Sequence, residues 1–432
     1  MVPLFSARIE RCGYPGSFEL RDVRFELKKG EALLVTGKSG SGKTTLLRVV
    51  TGTIEAAGGY LEGEVLLEGK SILEMKPEEV YHSIAYIPQE PWYAFVGYTV
   101  YTEVCHVLAQ LGVNCTDADF APLGSSRLVN RLTYTLSAGE VQRVLWLETM
   151  IKRARLIVLD EPLTYLDEEA RRVVKHYVKV ARSREMGIIV ADHDPAYWEF
   201  LEPDMLILEG GIVKYHGPWS RSKAEEQGMK LTSLKKHVER GVFVKFKNVS
   251  FRYTGDSYII KDFTESLQRG VLTCITGPNG SGKTTLLKLG SGILKPTRGS
   301  VERYGTAIYV PENTFLFFSK TTPREELMIP ARGNENKVLE IAELLKIKHI
   351  LDRPVTKLSN SERRRVSIAA ACLADHDGYF IDEPFGGIDA ENASSVLQAF
   401  QLLLDKGKAV VVATHDEKVT SLAGTVLRLG PA

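Results

Sequence analysis

Two stretches of this chain combine glycines, a lysine and hydroxyls at the spacing that cradles a polyphosphate. Gly37-Lys-Ser39-Gly40-Ser-Gly42-Lys43-Thr44-Thr45 returns as Gly277-Pro-Asn279-Gly280-Ser-Gly282-Lys283-Thr284-Thr285. Glycines let the backbone curl until its N–H groups point inward at phosphate oxygens, and a following helix N-terminus adds positive potential. In this motif the lysines, Lys43 and Lys283, reach the β- and γ-phosphates, while Thr44 and Thr284 offer hydroxyls to Mg²⁺. Downstream, Leu156-Ile-Val-Leu-Asp160-Glu161 and Gly378-Tyr-Phe-Ile-Asp382-Glu383 are apolar runs ending in paired carboxylates. The aspartate suits a water-bridged Mg²⁺, and the glutamate suits the base that takes a proton from an attacking water. The next apolar runs end at His193 and His415, where an imidazole can hydrogen-bond a γ-phosphate and that water.

The order repeats as well as the parts. Lys43 and Lys283 stand 240 residues apart, whereas Asp160 and Asp382, and likewise His193 and His415, stand 222 apart. A constant offset at the rear implies one architecture used twice. The 18-residue difference lies at the front, where the first half carries an alternating segment over 62–75 that reads as a hairpin. The second half keeps only residues 299–304 there, so its peripheral sheet is expected to be shorter. Residues 1–217 and 242–432 are the two modules; 218–241, mildly basic and without periodicity, reads as a solvated linker.

Each module alternates short apolar runs with helical patterns. Residues 32–36, 156–159 and 187–191 read as strands, and 43–50 opens a helix. This predicts an α/β fold with a mainly parallel sheet covered on both faces, its ligands beyond the carboxyl ends of the strands. Composition agrees: 432 residues are 44% hydrophobic and 25% charged with a net charge of +1, so no global field favours nucleic acid or anionic lipid. Five scattered cysteines without a Cys-x-x-Cys pair suit a reducing compartment and argue against a disulfide frame or a zinc site. The N-terminus has no signal-peptide core, and no apolar run reaches the roughly 18 residues of a membrane span.

This series of motifs resembles the ATP-binding-cassette family over nearly the whole chain. The resemblance implies two P-loop ATPase domains, each with an antiparallel β subdomain and a helical subdomain, that bind ATP and Mg²⁺ and hydrolyse ATP. The family's signature loop stands here as Leu136-Ser137-Ala138-Gly139-Glu140 and Leu358-Ser359-Asn360-Ser361-Glu362, and its D-loop matches Asp167 and Asp389. Tyr14 and Tyr253 stand where the family stacks an aromatic on adenine. In such proteins the signature loop of one module closes over ATP held by the other. The resemblance therefore pairs Lys43, Gln89, Asp160, Glu161 and His193 with Ser359, Asn360, Ser361 and Asp389. It pairs Lys283, Glu312, Asp382, Glu383 and His415 with Ser137, Ala138, Gly139 and Asp167. Gln89 and Glu312 join Thr44, Asp160, Thr284 and Asp382 as expected Mg²⁺ ligands.

Two positions depart from the family pattern. Glu312 replaces a glutamine, so an acceptor stands where an amide both donates and accepts. Asn360 and Ser361 replace paired glycines, which is expected to resist a left-handed backbone. The aromatic-rich segments 90–104 and 315–327 resemble those by which energy-coupling-factor ATPases receive a membrane subunit. Such systems take up vitamins or transition-metal ions, with the ATPase peripheral on the cytoplasmic face. A soluble tandem cassette acting on ribosomes or nucleic acid is the alternative. Its usual long charged linker, coiled-coil insertion and cysteine-rich cluster are missing.

Overall fold

The computed structural model describes every residue except 1, 17, 90–93, 124–125, 137, 165, 228–232, 235–237, 254–256 and 431–432, and only the backbone of 126, 127, 138 and 390. Contacts divide the chain into two compact units, Met1–Met229 and Lys230–Ala432.

In the first unit the strands are β1 (Phe5–Gly13), β2 (Glu19–Leu27), β3 (Ala32–Thr36), β4 (Tyr60–Leu67), β5 (Lys70–Ser71), β6 (Ile84–Ile87), β7 (Leu156–Asp160), β8 (Gly187–Ala191), β9 (Asp204–Glu209) and β10 (Ile212–Pro218). They form one sheet in the order β5-β4-β1-β2-β10-β9-β3-β8-β7-β6. Parallel pairing joins β6, β7, β8, β3 and β9. These central strands are short runs of Val, Ile and Leu, and β3, β7 and β8 are buried along their whole length. Their side chains alternate between two cores, as a period of two requires. Leu33, Val35, Leu156, Val158, Ile189 and Ala191 face the antiparallel strands and the helix Lys43–Val50. Ala32, Leu34, Ile157, Leu159, Ile188 and Val190 face the helical subdomain, where Trp146 and Val144 of the helix Ala138–Lys152 pack.

The second unit repeats this plan with β11 (Val242–Phe251), β12 (Ile260–Gln268), β13 (Leu272–Thr276), β14 (Arg298–Arg303), β15 (Ala307–Val310), β16 (Gly378–Asp382), β17 (Ala409–Ala413) and β18 (Thr425–Arg428). Its parallel sheet runs β15-β16-β17-β13-β18, the counterpart of β6-β7-β8-β3-β9. The antiparallel strands form a separate sheet, β12-β11-β14. The strand β5, paired with β4, and the helix Pro77–Ser83 lie between β4 and β6, whereas three residues separate β14 from β15. The 18-residue difference in offset is therefore peripheral, and the catalytic sheet is untouched.

Two expectations need correction. Residues 218–227 are not a free connector: the helix Arg221–Gln227 buries Ala224 against Met205 and Ile207, and Trp219 Nε1 donates to the Pro195 carbonyl at 3.2 Å. The small Ala224 and the indole supply an apolar contact that the charge run conceals. Also, Cys105 and Cys115 are joined as a disulfide. The helix Val100–Gln110 ends at Leu111, and the turn through Gly112 (φ +68°) brings Cys115 back beside it, with Cα atoms 5.1 Å apart.

Candidate active sites

Each phosphate loop links a fully buried strand to a helix. Gly42 and Gly282 precede the helices Lys43–Val50 and Lys283–Ser291 at φ +107° and +94°, a backbone that L side chains rarely adopt. At Gly37 and Gly277 space is the second constraint: a Cβ would lie 2.2 Å from the Leu208 carbonyl oxygen and 2.5 Å from that of Leu429. Around Gly40 and Gly280 a Cβ would meet nothing within 4 Å, so these loop crests are open. Lys43 Nζ curls back to the Gly37 carbonyl at 2.8 Å, and Lys283 Nζ does the same to Gly277 at 2.8 Å. Both lysines are buried. The loop carbonyls thus hold each ammonium against its own glycine-rich loop.

Across the sheet, β7 and β16 deliver the carboxylate pairs. Asp160 and Asp382 end their strands buried, and the next residue bends sharply. Glu161 and Glu383 both have φ +45°, an uncommon conformation for a non-glycine residue. Their amides donate to the Ala191 and Ala413 carbonyls at 2.8 and 3.0 Å, and those bonds fix the bend. Strain of this kind concentrates at functional positions, and it occurs here at both glutamates.

In the first site Gln89 Nε2 donates to Glu161 Oε2 at 2.7 Å, and His193 Nδ1 lies 3.8 Å from the same oxygen. Base, amide and imidazole are therefore one constellation. Asp160 is pushed up to about 7, mainly by burial and then by the charge of Glu161; Lys43 and the hydroxyls of Thr44 and Tyr86 work the other way. Its Oδ1 is buried without a hydrogen-bond partner. A crowded carboxylate with an orphaned oxygen beside a threonine hydroxyl is the donor set of a hard divalent cation, so Thr44 and Asp160 fit Mg²⁺.

The second site has the same parts in a different charge state. Thr284 Oγ1 donates to Asp382 Oδ2 at 2.6 Å, and His415 Nε2 lies 3.5 Å from Glu383 Oε1 and 3.1 Å from Asn279 Oδ1. When ionised, Glu312 cannot donate to Glu383 as Gln89 does to Glu161, and Glu383 Oε1 has no hydrogen-bond partner. Glu312 rises to about 7 by burial and then by the charge of Asp382, with Arg364 and Lys283 opposing. Glu383 rises well above the usual carboxylate range, by burial and then by Glu312 and Asp382. Arg364, fully buried, donates to the backbone carbonyls of Glu312 (3.0 Å), Asp382 (3.3 Å) and Glu383. Its counterpart Gln142 reaches the Pro162 carbonyl at 3.5 Å. A neutral Gln89–Gln142 pair in one unit thus becomes Glu312–Arg364 in the other.

The remaining expected residues divide. Thr45 and Thr285 are buried, and Thr285 Oγ1 lies 3.3 Å from the Tyr253 hydroxyl. Tyr253 stands edge-on to Phe251 and exposes half its surface, as a stacking aromatic needs. Tyr14 is half-buried, and its hydroxyl accepts from Arg48. Ser39 is half-buried beside the open crest. Ser137 lies outside the described residues; Ala138 and Gly139 begin the helix Ala138–Lys152. Ser359 caps the helix Asn360–Leu373, accepting from the Glu362 amide at 3.2 Å, while the Ser359 amide donates to Glu362 Oε2 at 2.7 Å. Asn360 and Ser361 are helical and buried, and neither they nor Gly139 has positive φ. The expected backbone strain at these substitutions is therefore wrong, because neither loop uses a left-handed residue there. Asp167 and Asp389 cap the helices Glu168–Ser183 and Ala390–Asp405, accepting at 2.8 and 2.9 Å.

Sequence reasoning passed over two groups. Asp192, buried, accepts from Trp198 Nε1 at 3.0 Å and sits 3.8 Å from His193 Nδ1; Thr414 holds the matching position. The contrast between Ala-Asp-His-Asp and Ala-Thr-His-Asp was its available signal. Arg364 was visible as one of three consecutive arginines at a helix start.

The sequence matches the ABC transporter family over residues 20–164 and 260–386. The provisionally named HMP/thiamine import ATP-binding protein YkoD of Bacillus subtilis (strain 168) is 27% identical over 475 residues, spanning 95% of this chain and 86% of its own. A provisionally named ABC transporter ATP-binding protein of Sulfurisphaera tokodaii is 28% identical over 439 residues, with 94% and 92% covered. Among solved structures, a chain of ribosome-bound archaeal Pelota and ABCE1 aligns with TM-score 0.71 at 23% identity, covering 94% of this chain and 74% of that one. A structure titled RNase-L Inhibitor aligns with TM-score 0.65 at 22% identity, covering 96% and 86%. At these identities the structural likeness shows shared fold alone. Two matched segments, each holding a glycine-rich loop and a carboxylate pair, make this chain a member of the ABC transporter family with its ATP-hydrolysing domain present twice.

Proposed function

We propose that this chain is the ATPase subunit of a membrane transporter of the energy-coupling-factor type, taking up a vitamin or transition-metal ion. The observation that carries it is an exposed apolar patch on the helical subdomain of the first unit. Val96, Tyr98 and Tyr134 expose 77%, 79% and 70% of their surfaces, with Tyr101 and Leu132 beside them. The patch is built rather than accidental: Thr99 bridges Leu132, and the Thr133 amide donates to the Tyr98 carbonyl at 3.0 Å. Contiguous exposed apolar surface marks an interaction site. In the second unit Phe315, Leu316 and Ile329 are likewise exposed. Relatives named as transporter ATP-binding proteins, aligned over most of both chains, support the same reading. Residues 90–93, expected in this surface, lie outside the described residues. No helix among the described residues is long and apolar enough to cross a membrane, so partners of this kind would supply the span and the substrate site.

In this proposal each signature loop closes over ATP held by the other half, with the residue sets given by the family resemblance, and the chain works at the cytoplasmic face. Lys43 and Lys283 hold the β- and γ-phosphates. Glu161 and Glu383 accept the proton of the attacking water, which His193 and His415 orient. Mg²⁺ supplies charge neutralisation between the phosphates when bound. Loss of the γ-phosphate removes the anion that both halves contact, and the halves separate. Both sites turn over, unequally, because one uses Gln89 and the other Glu312.

The test is affinity purification of the full chain from detergent extracts, beside a Tyr98→Asp/Tyr134→Asp variant. A polytopic membrane protein that co-purifies and is lost in the variant supports the assignment. Ribosomal components in its place overturn it.

A further inference from the structure

A tyrosine hydroxyl meets the same carboxylate oxygen in both units. Tyr86 on β6 donates to Asp160 Oδ2 at 3.3 Å, and Tyr309 on β15 donates to Asp382 Oδ2 at 3.2 Å. The strands explain the recurrence. β6 lies parallel beside β7 with Tyr86 opposite Val158, and β15 lies beside β16 with Tyr309 opposite Phe380. A phenol standing two residues short of the carboxylate along its strand has the length to reach it. Each tyrosine also precedes Gln89 or Glu312 by three residues, so one short strand supplies both a ring and a loop residue to one site.

We infer that Tyr86 and Tyr309 are positioning residues that orient Asp160 and Asp382 for the divalent cation accompanying ATP. A carboxylate that ends a strand can rotate about its side-chain torsions. A hydroxyl donating to Oδ2 fixes the plane of the group and directs Oδ1 elsewhere. In the first unit that second oxygen, Asp160 Oδ1, is buried without a hydrogen-bond partner. In the second unit Oδ2 also accepts from Thr284 Oγ1 at 2.6 Å, so the threonine and the tyrosine converge on one atom. Hydrogen bonds to ligating carboxylates commonly set metal affinity by roughly 10- to 100-fold. The alternative role, a ring that only fills space between strand and helix, would be served equally by phenylalanine. The inference rests on ATP hydrolysis at these sites and not on the transporter assignment, so the two fail separately.

Tyr86→Phe and Tyr309→Phe test it, each in the full chain carrying Glu161→Gln and Glu383→Gln to stop turnover. Mn²⁺ is titrated in the presence of ATP and followed by electron paramagnetic resonance, and ATP binding in EDTA is measured beside it. Each variant is expected to weaken one class of Mn²⁺ site about tenfold, with ATP affinity in EDTA unchanged. In the turnover-competent chain the Mg²⁺ requirement rises while the rate at saturating Mg²⁺ is retained. Mn²⁺ isotherms within twofold of the parent in both variants would overturn the inference. An equal loss of ATP affinity in EDTA would also overturn it, since the tyrosines would then act through the fold.

Discussion

Glu312→Gln is the change that most directly probes the difference between the two sites. In the nucleotide-free chain the Glu312 carboxyl shares a buried space with Asp382 and is held up to about 7 against an ordinary 4.5. The folded state therefore keeps a proton that the unfolded chain releases. Stability contributed by that proton is lost as pH rises from about 4.5 and is fully lost above about 7. Two and a half pH units at 1.36 kcal/mol each give about 3 kcal/mol at pH 8. That figure is a ceiling, because Glu312 retains some contact with solvent. Glutamine carries no such penalty, and its amide can donate to Glu383 Oε1 as Gln89 does to Glu161. The variant should be more stable than the parent at pH 8 and equal to it near pH 4.5. For a unit of this size the ceiling corresponds to roughly 6–12 °C in melting temperature. The assay is calorimetry of the full chain in EDTA at several pH values. All four tryptophans (Trp92, Trp146, Trp198 and Trp219) lie in the first unit, so fluorescence identifies its transition and leaves the other to the second. Mg²⁺ with ATP should narrow the gap, since a cation offsets carboxylate repulsion. Equal midpoints at pH 8, or a gap that widens towards acid, would refute the reasoning.

Three further outcomes follow from the geometry. Glu161→Gln and Glu383→Gln, made separately, should each slow their own site by about 10²- to 10⁴-fold and reduce whole-chain ATPase turnover by unequal amounts; a steady-state rate unchanged by either one would show that its site does not contribute. Gly290→Ala should lower the second unit's melting temperature, because the new Cβ would lie 2.5 Å from Phe380 Cε1 and overpacking costs about 1–3 kcal/mol, more than the helix propensity gained. Trp198→Phe removes the donor to buried Asp192 Oδ2 and should destabilise the first unit by about 1–3 kcal/mol in denaturant titrations, with the second unit's transition unmoved.

Much of the architecture was readable from the chain because its signals are local. A glycine-rich turn between an apolar run and a helical pattern specifies strand, loop and helix within 19 residues, and the structure gives Ala32–Thr36 and Lys43–Val50 there. The constant rear offset carried this to the second half. What stayed hidden depends on chain segments that meet only in space. Tyr86 and Asp160 are 74 residues apart, and nothing in Tyr-Ile-Pro-Gln indicates that its phenol will face a neighbouring strand's last residue. The positive φ of Glu161 and Glu383 is imposed by carbonyls of β8 and β17, also distant in sequence. The Cys105–Cys115 bond was missed because a separation of ten residues matches no familiar spacing. The error over Asn360 and Ser361 had another cause: glycine's freedom was assumed to be in use, and the helix starts a residue too early for that.

Arg364 gives the second unit a transmission that the first does not share. It rides on the helix that begins at Asn360, and its two terminal nitrogens grip main chain on both sides of the catalytic cleft. Any tilt of that helix therefore drags the carbonyls of Glu312 and Glu383 with it as a unit. Among the described residues Gln142 makes one long contact, to the Pro162 carbonyl at 3.5 Å, so the first half has no equivalent grip from its helix. A displacement of either helix would therefore reach Glu383 directly through main chain, and Glu161 only through side chains, so the two halves need not respond alike.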